Sequence, residues 1–325
     1  MDDRRPDRGT SSARGCQLRL GFLTAPFAET PLMDVADWAA EADFDSLEIA
    51  CWPRAAGSVV RRYAGTSHID VANLAQSEAS DLVGQINAKG LAISGLGFYP
   101  NPLHPDPAVR EPAIAHIKSV IEACRLMGVP FMNTFMGGDP KKNLDENWAE
   151  ALRVWPDIVK HAQDNGVKLT IENCPMIFSY DEWPGGNNIA WSPMIWRRIL
   201  EQWTGTIGLN YDPSHLVWLM IDQGRFIREF GPHILHFQAK DVTIDRDGLY
   251  ERGTMSSGMG WQIPRLPGLG DAPWQDIFAN LYRVGYDGDC IIEHEDKRFE
   301  ATDQLIKRGF LLARNILRPY IPKGY

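Results

Sequence analysis

The stretch HAQDNGVKLTIENC, residues 161–174, contains the pattern that decides the fold. A segment of helical character ends at Gly166, and glycine is the residue type that commonly terminates helices. The short apolar run KLTI follows at once and ends in Glu172 and Asn173. A helix, a glycine stop and a short β-branched strand are the components of a repeated unit on a parallel sheet.

The same order recurs along most of the chain. Eight apolar runs are predicted to be strands: LRLGFLTA (18–25), SLEIACW (46–52), LAISGLGF (91–98), PFMNTFM (130–136), KLTIENC (168–174), IGLNYDP (207–213), ILHFQAKD (234–241) and DCIIEHE (289–295). Segments of helical period lie between them, which predicts a (β/α)8 barrel, a fold of about 250 residues before insertions. A doubly wound open sheet is the alternative, but TAPFAETP follows the first run where a glycine-rich phosphate turn would be needed. We expect a single-domain TIM barrel over residues 16–325, preceded by a disordered polar tail over residues 1–15.

Composition excludes several classes of protein. A formal net charge of -9 provides no basic surface for phosphate backbones, so we expect no nucleic-acid partner. The five cysteines are widely spaced and include no CxxC pair, which argues against a disulfide framework or a structural zinc site and fits a reducing cytoplasm. No apolar run approaches the roughly 18 residues of a membrane span, so we expect a cytoplasmic protein without membrane contact.

Polar side chains end four successive predicted strands. Glu172, Asp212, Gln238 and Glu293 end the fifth to eighth strands, and the carboxyl ends of barrel strands surround one active-site mouth. Three carboxylates at short range repel each other unless a cation lies among them. Oxygen ligands favour Mg²⁺ or Mn²⁺. His236 shares the strand face of Gln238 and is the alternative ligand, which would shift the preference towards Mn²⁺, Co²⁺ or Zn²⁺.

Each of these residues taken alone is equally well explained as a helix cap or an ion-pair partner, and only the set of four favours a metal site. His215 in the DPSH segment is a candidate substrate ligand beside the metal, and Lys240 either binds a substrate oxygen or pairs with Asp241 or a neighbouring acid. The remaining substrate-binding candidates lie in long loops or at the rim of the barrel: His68, His104, Trp183 and Arg298.

At these residues the sequence resembles the sugar phosphate isomerase/epimerase superfamily, the xylose isomerase-like barrels. The resemblance is carried by five segments in order: IEN (171–173), DPSH (212–215), HFQAKD (236–241), PGLGDAPW (267–274) and GYDGDCIIEHE (285–295). It implies one metal held by Glu172, Asp212, the strand-seven residue and Glu293, with His215 on the substrate. Many relatives carry histidine at the position of Gln238, and hydroxypyruvate isomerase-like relatives carry glutamine.

The chemistry implied is proton transfer next to a sugar carbonyl. A metal on the carbonyl and adjacent hydroxyl oxygens stabilises the enediolate that deprotonation forms, and Glu172 and Glu293 would serve as base and returning acid. We therefore expect a sugar isomerase or epimerase. The alternative is a lyase or deglycosidase subunit that eliminates the aglycone from a 3-keto sugar glycoside.

The expected partners are the sugar substrate and further copies of the chain in a homo-oligomer, or a small second subunit if the protein is a deglycosidase. The endonuclease branch of the same barrel would require more histidines and a basic face, which the net charge of -9 argues against. A sugar-binding module without catalysis is a further alternative, and exchange of a substrate proton with solvent would distinguish it from every enzyme.

Overall fold

Eight parallel strands close into a barrel in the computed structural model, which describes residues 18–53, 65–177, 182, 185–254 and 260–323. Around the barrel each strand is bonded to its neighbours in chain order, and the last returns to the first. The barrel strands are β1 (Arg19–Leu23), β2 (Ser46–Ala50), β3 (Ala92–Gly97), β4 (Phe131–Thr134), β5 (Lys168–Glu172), β6 (Ile207–Tyr211), β7 (Ile234–Ala239) and β10 (Asp289–Ile292). All eight lie within the predicted runs, so the single-domain TIM barrel is confirmed. The predicted tail, residues 1–15, lies outside the described residues.

Helices connect the strands and cover the outside of the barrel. Those of the described residues are α1 (Leu32–Glu41), α2 (Gln76–Ala88), α3 (Pro107–Met127), α4 (Leu144–Asp164), α5 (Pro193–Gln202), α6 (Pro213–Trp218), α7 (Gln223–Phe230), α8 (Arg246–Arg252), α9 (Trp274–Val284) and α10 (Asp303–Leu317). The predicted glycine stop is present, since Gly166 lies just after α4 with a φ of 67°, and Gly128 after α3 and Gly285 after α9 end their helices in the same left-handed conformation. Within the described ranges, no helix has the length and apolar character needed to cross a bilayer.

A second, two-stranded sheet follows β7. Strands β8 (Asp241–Ile244) and β9 (Gln262–Arg265) are antiparallel, and β8 begins immediately after Lys240. This sheet was not predicted because β8 directly continues the run of β7, and β9, with the sequence QIPR, has no apolar run and contains a proline. Asp241 anchors it by accepting hydrogen bonds from four N–H groups: the backbone of Val242, Gly268 and Ala272 and the indole of Trp274. The PGLGDAPW segment is thereby fixed against the end of β7.

The outer and inner faces of the barrel strands differ in polarity. Between strands and helices lies an apolar core that includes the ring cluster of Phe22, Phe44 and Phe310. The interior of the barrel instead contains fully buried polar side chains, which are Glu48, Asn133, Thr170, Asn210, His236 and Gln238. Burying polar groups is costly unless each finds a partner, so this interior network needs a physical explanation beyond packing.

Candidate active site

Three of the four predicted metal ligands meet at the carboxyl-terminal mouth of the barrel. Glu172 is the last residue of β5, Asp212 follows β6 and Glu293 follows β10. One carboxylate oxygen from each lies within 4.8 Å of the other two, and all three residues are buried. These residues, up to 121 positions apart in the chain, form a single acidic cluster.

Asp212 both caps a helix and contributes to the carboxylate cluster, the two roles that the sequence left open. Its Oδ1 caps α6 by accepting a hydrogen bond from Ser214 N at 2.8 Å, while Oδ2 faces the cluster. Asn173 fixes the backbone here, since its amide donates to Asp212 O at 2.8 Å and accepts from Asp212 N at 2.7 Å. Two hydrogen bonds therefore join the IEN and DPSH segments, and they fix the position of Glu172 relative to Asp212 along the barrel axis.

The ammonium group of Lys240 lies between the carboxylates. Its Nζ is 2.8 Å from Asp212 Oδ2, 2.9 Å from Glu293 Oε2 and 3.5 Å from Glu295 Oε2. Burial alone would lower the pKa of Lys240, but Asp212 and the neighbouring glutamates raise it well above its usual range. Lys240 is therefore charged and pairs with these acids, whereas Asp241 faces the PGLGDAPW segment.

The carboxylates differ in their affinity for protons. Burial raises the pKa of Glu293 well above its ordinary value, against the opposing charge of Lys240. Burial likewise raises the pKa of Glu172, against its contact with His215. Burial also acts to raise the pKa of Asp212, but Lys240 and His215 outweigh it and hold that pKa below its usual range. The cluster thus combines one strongly ionised acid with two carboxyl groups that take up protons more readily.

His215 lies at the edge of the cluster with its ring oriented by Trp218. Its Nε2 is 3.1 Å from Asp212 Oδ2 and 3.6 Å from Glu172 Oε1, and the Trp218 indole N–H donates to Nδ1 at 3.2 Å. Burial lowers the pKa of His215 while Cys174 and Asp212 raise it, with a net upward direction. A second proton would, however, lie on Nδ1 facing the Trp218 N–H. The Trp218 bond therefore favours the neutral ring with its proton on Nε2, a donor suited to a substrate oxygen.

Gln238 is buried in the barrel wall, one inward position below Lys240. Its Nε2 donates to Glu48 Oε2 at 3.0 Å and to the Tyr99 hydroxyl at 2.7 Å. Its Oε1 is buried and accepts no hydrogen bond from the part of the chain that the structure describes. An amide oxygen in this state is a candidate ligand atom for a cation or a substrate hydroxyl.

His236 lies one inward position deeper still and is part of the interior network. Its Nδ1 donates to Asn210 Oδ1 at 2.9 Å, and its Nε2 accepts from Ser94 Oγ at 3.2 Å and from Asn133 Nδ2 at 3.3 Å. Burial lowers the pKa of His236 to about 3, which keeps the ring neutral. With both nitrogens bonded to side chains, His236 is less suited than Gln238 to the strand-seven ligand position.

The remaining predicted residues lie in loops. His68 joins the loops after β1 and β2, with Nδ1 accepting from Thr24 Oγ1 at 2.9 Å. His104 accepts from Asp106 N at 3.1 Å, and Arg298 forms a two-pronged pair with Asp296 at 2.8 and 3.0 Å. None of these bonds is made to a member of the carboxylate cluster. Trp183 lies outside the described residues.

Three residues that the structure places at or beneath the mouth were not predicted to belong to the site: Glu48, Cys174 and Glu295. Cys174 Sγ lies within 4.8 Å of a ligand atom of Glu172 and of His215. Glu48 carried a usable signal, since it is the one charged residue in the apolar run SLEIACW. A cavity of about 480 Å³ opens at the opposite end of the barrel, where Asp45 and Leu91 precede their strands. In TIM barrels the catalytic residues lie at the carboxyl-terminal ends of the strands, at the other end of the barrel from this cavity.

With this geometry known, comparison with known proteins identifies the family. Residues 36–316 match the family described as xylose isomerase-like TIM barrel. The chain belongs to this family. The match covers every barrel strand except β1, and it includes all members of the carboxylate cluster.

Individual proteins that are similar to this chain are distant from it in sequence. YfiH of Bacillus subtilis (strain 168), an uncharacterised protein, is 25% identical over 311 residues, which cover 86% of this chain and 93% of YfiH. D-psicose 3-epimerase from Clostridium cellulolyticum H10, solved with D-tagatose, is 17% identical with a TM-score of 0.65, covering 94% of this chain and 99% of the epimerase. An IOLI protein solved with a bound zinc atom is 14% identical with a TM-score of 0.68, covering 95% of this chain and 99% of that protein. At these identities the two solved structures establish the likeness of fold.

The residues at the mouth fit a divalent cation. The three carboxylates supply oxygen atoms within 4.8 Å of one another, and Gln238 Oε1 is a buried acceptor without a bond from the described residues. Lys240 Nζ lies 2.8 and 2.9 Å from two of the carboxylates, so the cluster already pairs with one positive charge. An all-oxygen donor set is the kind that Mg²⁺ and Mn²⁺ prefer.

Proposed function

We propose that the protein is a divalent-metal-dependent sugar isomerase or epimerase that moves a proton at a carbon next to the substrate carbonyl. The observation that carries this proposal is the convergence of Glu172, Asp212 and Glu293 on one point at the barrel mouth. The family and the sugar epimerase among its solved neighbours support the same class of reaction. Mn²⁺ or Mg²⁺ is the proposed metal, and the zinc-containing neighbour makes Zn²⁺ and Co²⁺ the alternatives.

The metal's contribution, when it is bound by Glu172, Asp212, Gln238 and Glu293, would be to draw charge from the substrate oxygens and so acidify the C–H bond between them. The chain's own residues then handle the proton. Glu172 and Glu293 reach the cluster from β5 and β10, so one carboxylate can remove a proton and the other can return it. Return to the neighbouring carbon isomerises the sugar, and return to the opposite face epimerises it.

Two nitrogen donors are placed to stabilise charge on substrate oxygens. His215 presents its Nε2–H beside Asp212, and Lys240 carries a full positive charge 2.9 Å from Glu293. Fixed donors of this kind act on the negative charge that develops as the proton leaves. Asp212 stays ionised and holds Lys240 and His215 in position, so we assign it to binding and orientation and not to proton transfer.

The test is a panel of unphosphorylated and phosphorylated ketoses and of 3-keto glycosides, incubated with the protein and Mn²⁺ in deuterated water. NMR would detect both a new sugar isomer and the replacement of a substrate proton by deuterium. Glu172→Gln and Glu293→Gln are each expected to lower turnover by about 10²- to 10⁴-fold because each lacks the group that carries the proton. Glu295→Gln is the matched control, since Glu295 also contacts Lys240 but lies outside the three-carboxylate cluster.

The outcomes separate the functional classes. A new sugar isomer that contains solvent deuterium supports the proposal, and wild-type turnover in either Glu172→Gln or Glu293→Gln excludes the proton-transfer roles. Release of an aglycone from a 3-keto glycoside would instead support the lyase alternative, because elimination starts from the same deprotonated carbon. Sugar binding without any exchange would identify a binding module.

A further inference from the structure

Buried side chains hold Gln238, one of the residues of the proposed metal site on which this inference rests. Gln238 Nε2 makes two hydrogen bonds, to Glu48 Oε2 at 3.0 Å and to the Tyr99 hydroxyl at 2.7 Å. Tyr99 in turn donates to Glu48 Oε1. Glu48 therefore accepts from both partners, and the three side chains form a closed triangle across the barrel from β7 to β2.

This triangle determines which end of the Gln238 amide faces which way. If the amide were reversed, its oxygen would lie about 3.0 Å from Glu48 Oε2, acceptor against acceptor in a site without solvent. As arranged, both amide hydrogens are used, which leaves Oε1 outside the triangle of hydrogen bonds. That oxygen is fully buried and receives no hydrogen bond from the described parts of the chain.

The barrel wall is shaped around the same carboxylate. Gly97 of β3 lies beside Glu48, and a Cβ added there would be 2.6 Å from Glu48 Oε1 and 3.0 Å from the Tyr99 ring. The neighbouring inward position, Gly95, makes room for Asn133 in the same way, with Nδ2 at 2.7 Å. Glycines at these two strand positions give up side-chain packing, which indicates that space for the polar side chains is a requirement of the fold.

The hydrogen bonds that lead to Tyr99 all point the same way, from donor to acceptor, along one chain of side chains. Asn210 accepts from His236 Nδ1 at 2.9 Å and donates to the Tyr99 hydroxyl at 3.3 Å. The Tyr99 hydroxyl in turn donates a hydrogen bond to Glu48, so the chain of hydrogen bonds ends on the Glu48 carboxylate. A buried network in which every member has a defined direction resists rotation of any one amide.

We propose that Glu48 and Tyr99 are positioning residues that hold the Gln238 amide with its oxygen available to the cation. They explain how glutamine can occupy the strand-seven ligand position: a flexible amide becomes a ligand of fixed orientation because a carboxylate and a phenol bind its nitrogen. Partners of this kind orient the groups that touch a metal, and their loss commonly costs about 10- to 100-fold in metal affinity.

The experiment is a set of Mn²⁺ titrations by calorimetry on metal-stripped protein, without substrate. Glu48→Gln is expected to weaken Mn²⁺ binding by about 10-fold or more, and Tyr99→Phe by a smaller factor because one of two acceptors remains. Gln238→Glu should also bind poorly, although carboxylate is a better ligand, since its oxygen would face Glu48 at about 3 Å.

The decisive variant is the exchanged pair Glu48→Gln with Gln238→Glu. It reverses the polarity of the bond across the barrel, restores a single negative charge and leaves one carboxylate oxygen free for the cation. We expect it to bind Mn²⁺ within about threefold of the wild type and better than either single variant, because coupling between contacting residues is recovered. A purely structural role for Glu48 predicts no such recovery.

The control is Thr170→Val, which removes the 2.6 Å hydrogen bond from Thr170 Oγ1 to Asn133 in the same network but does not touch Gln238. It should lower the melting temperature and leave Mn²⁺ affinity unchanged.

Equal Mn²⁺ affinity in wild type, Glu48→Gln and Tyr99→Phe would overturn the proposal, as would an exchanged pair no better than the single variants. A wild type that binds no Mn²⁺ would overturn it together with the metal site. Wild-type binding with the expected pattern but no sugar turnover would support the positioning role while rejecting the proposed reaction.

Discussion

Replacing Lys240 with methionine tests the electrostatics of the mouth most directly. Lys240 Nζ lies 2.8 Å from Asp212 and 2.9 Å from Glu293, and the Lys240 and Asp212 side chains are 4% and 0% exposed. Removing one member of a buried pair leaves an uncompensated charge and typically costs about 3–5 kcal/mol of folding free energy. Protonation of a freed glutamate limits the loss: bringing a carboxyl of ordinary pKa 4.5 to its acid form at pH 7 costs about 3.4 kcal/mol. We therefore expect Lys240→Met to lower the free energy of unfolding by about 3–4 kcal/mol in metal-free protein.

Lys160 provides a matched control at the same distance. Its Nζ is also 2.8 Å from a carboxylate, that of Asp164, but these side chains are 72% and 59% exposed. Solvent screens such a pair, so Lys160→Met should cost no more than about 0.5 kcal/mol. The assay is urea unfolding at pH 7 after chelation, followed by tryptophan fluorescence and checked by refolding. A Lys240→Met loss within about 1 kcal/mol of the control would refute the reasoning, since it would mean that the buried acids do not depend on this cation. Mn²⁺ at 100 times its dissociation constant should restore about 2.7 kcal/mol.

Three further predictions follow from the site and its supports. Thorough chelation should abolish turnover and deuterium exchange, and Mn²⁺ or Mg²⁺ should restore both; undiminished activity after chelation would remove the metal from the proposed reaction. Asp241→Asn should cost about 2–3 kcal/mol in urea unfolding because either orientation of the new amide sets an NH₂ against two of the four N–H donors, and an unchanged midpoint would contradict the anchoring role. Trp218→Phe keeps an aromatic side chain but removes the indole N–H that donates to His215. The ¹⁵N NMR signal of His215 Nδ1 should therefore shift and kcat/KM should fall about tenfold; identical spectra would show that Trp218 does not set the tautomer.

Much of the fold and part of the site could be predicted because the relevant signals are local. Each barrel strand is a short apolar run bounded by turn residues, and Glu172 and Glu293 stand directly at the ends of such runs. The alternation of side chains along a strand also predicts which residues of HFQAKD point into the barrel. His236, Gln238 and Lys240 all point into the barrel, so Asp241 must face the other way. In the structure Lys240 accordingly pairs with acids from neighbouring strands, and Asp241 accepts hydrogen bonds from the loop that follows.

The residues that were missed depend on contacts between distant parts of the chain. Glu48 and Gln238 are 190 positions apart, and neither run shows that the other side chain faces it across the barrel. Two signals in the sequence do point to this part of the barrel. A lone glutamate in the apolar strand SLEIACW needs hydrogen-bond donors if it is buried, and SGLGFY has glycines at alternate positions followed by a tyrosine. Together these features predict a polar barrel interior at the level of β2 and β3. The choice of glutamine at position 238 then follows, because its amide, unlike an imidazole, offers two hydrogens to a carboxylate and a phenol and still leaves an oxygen free.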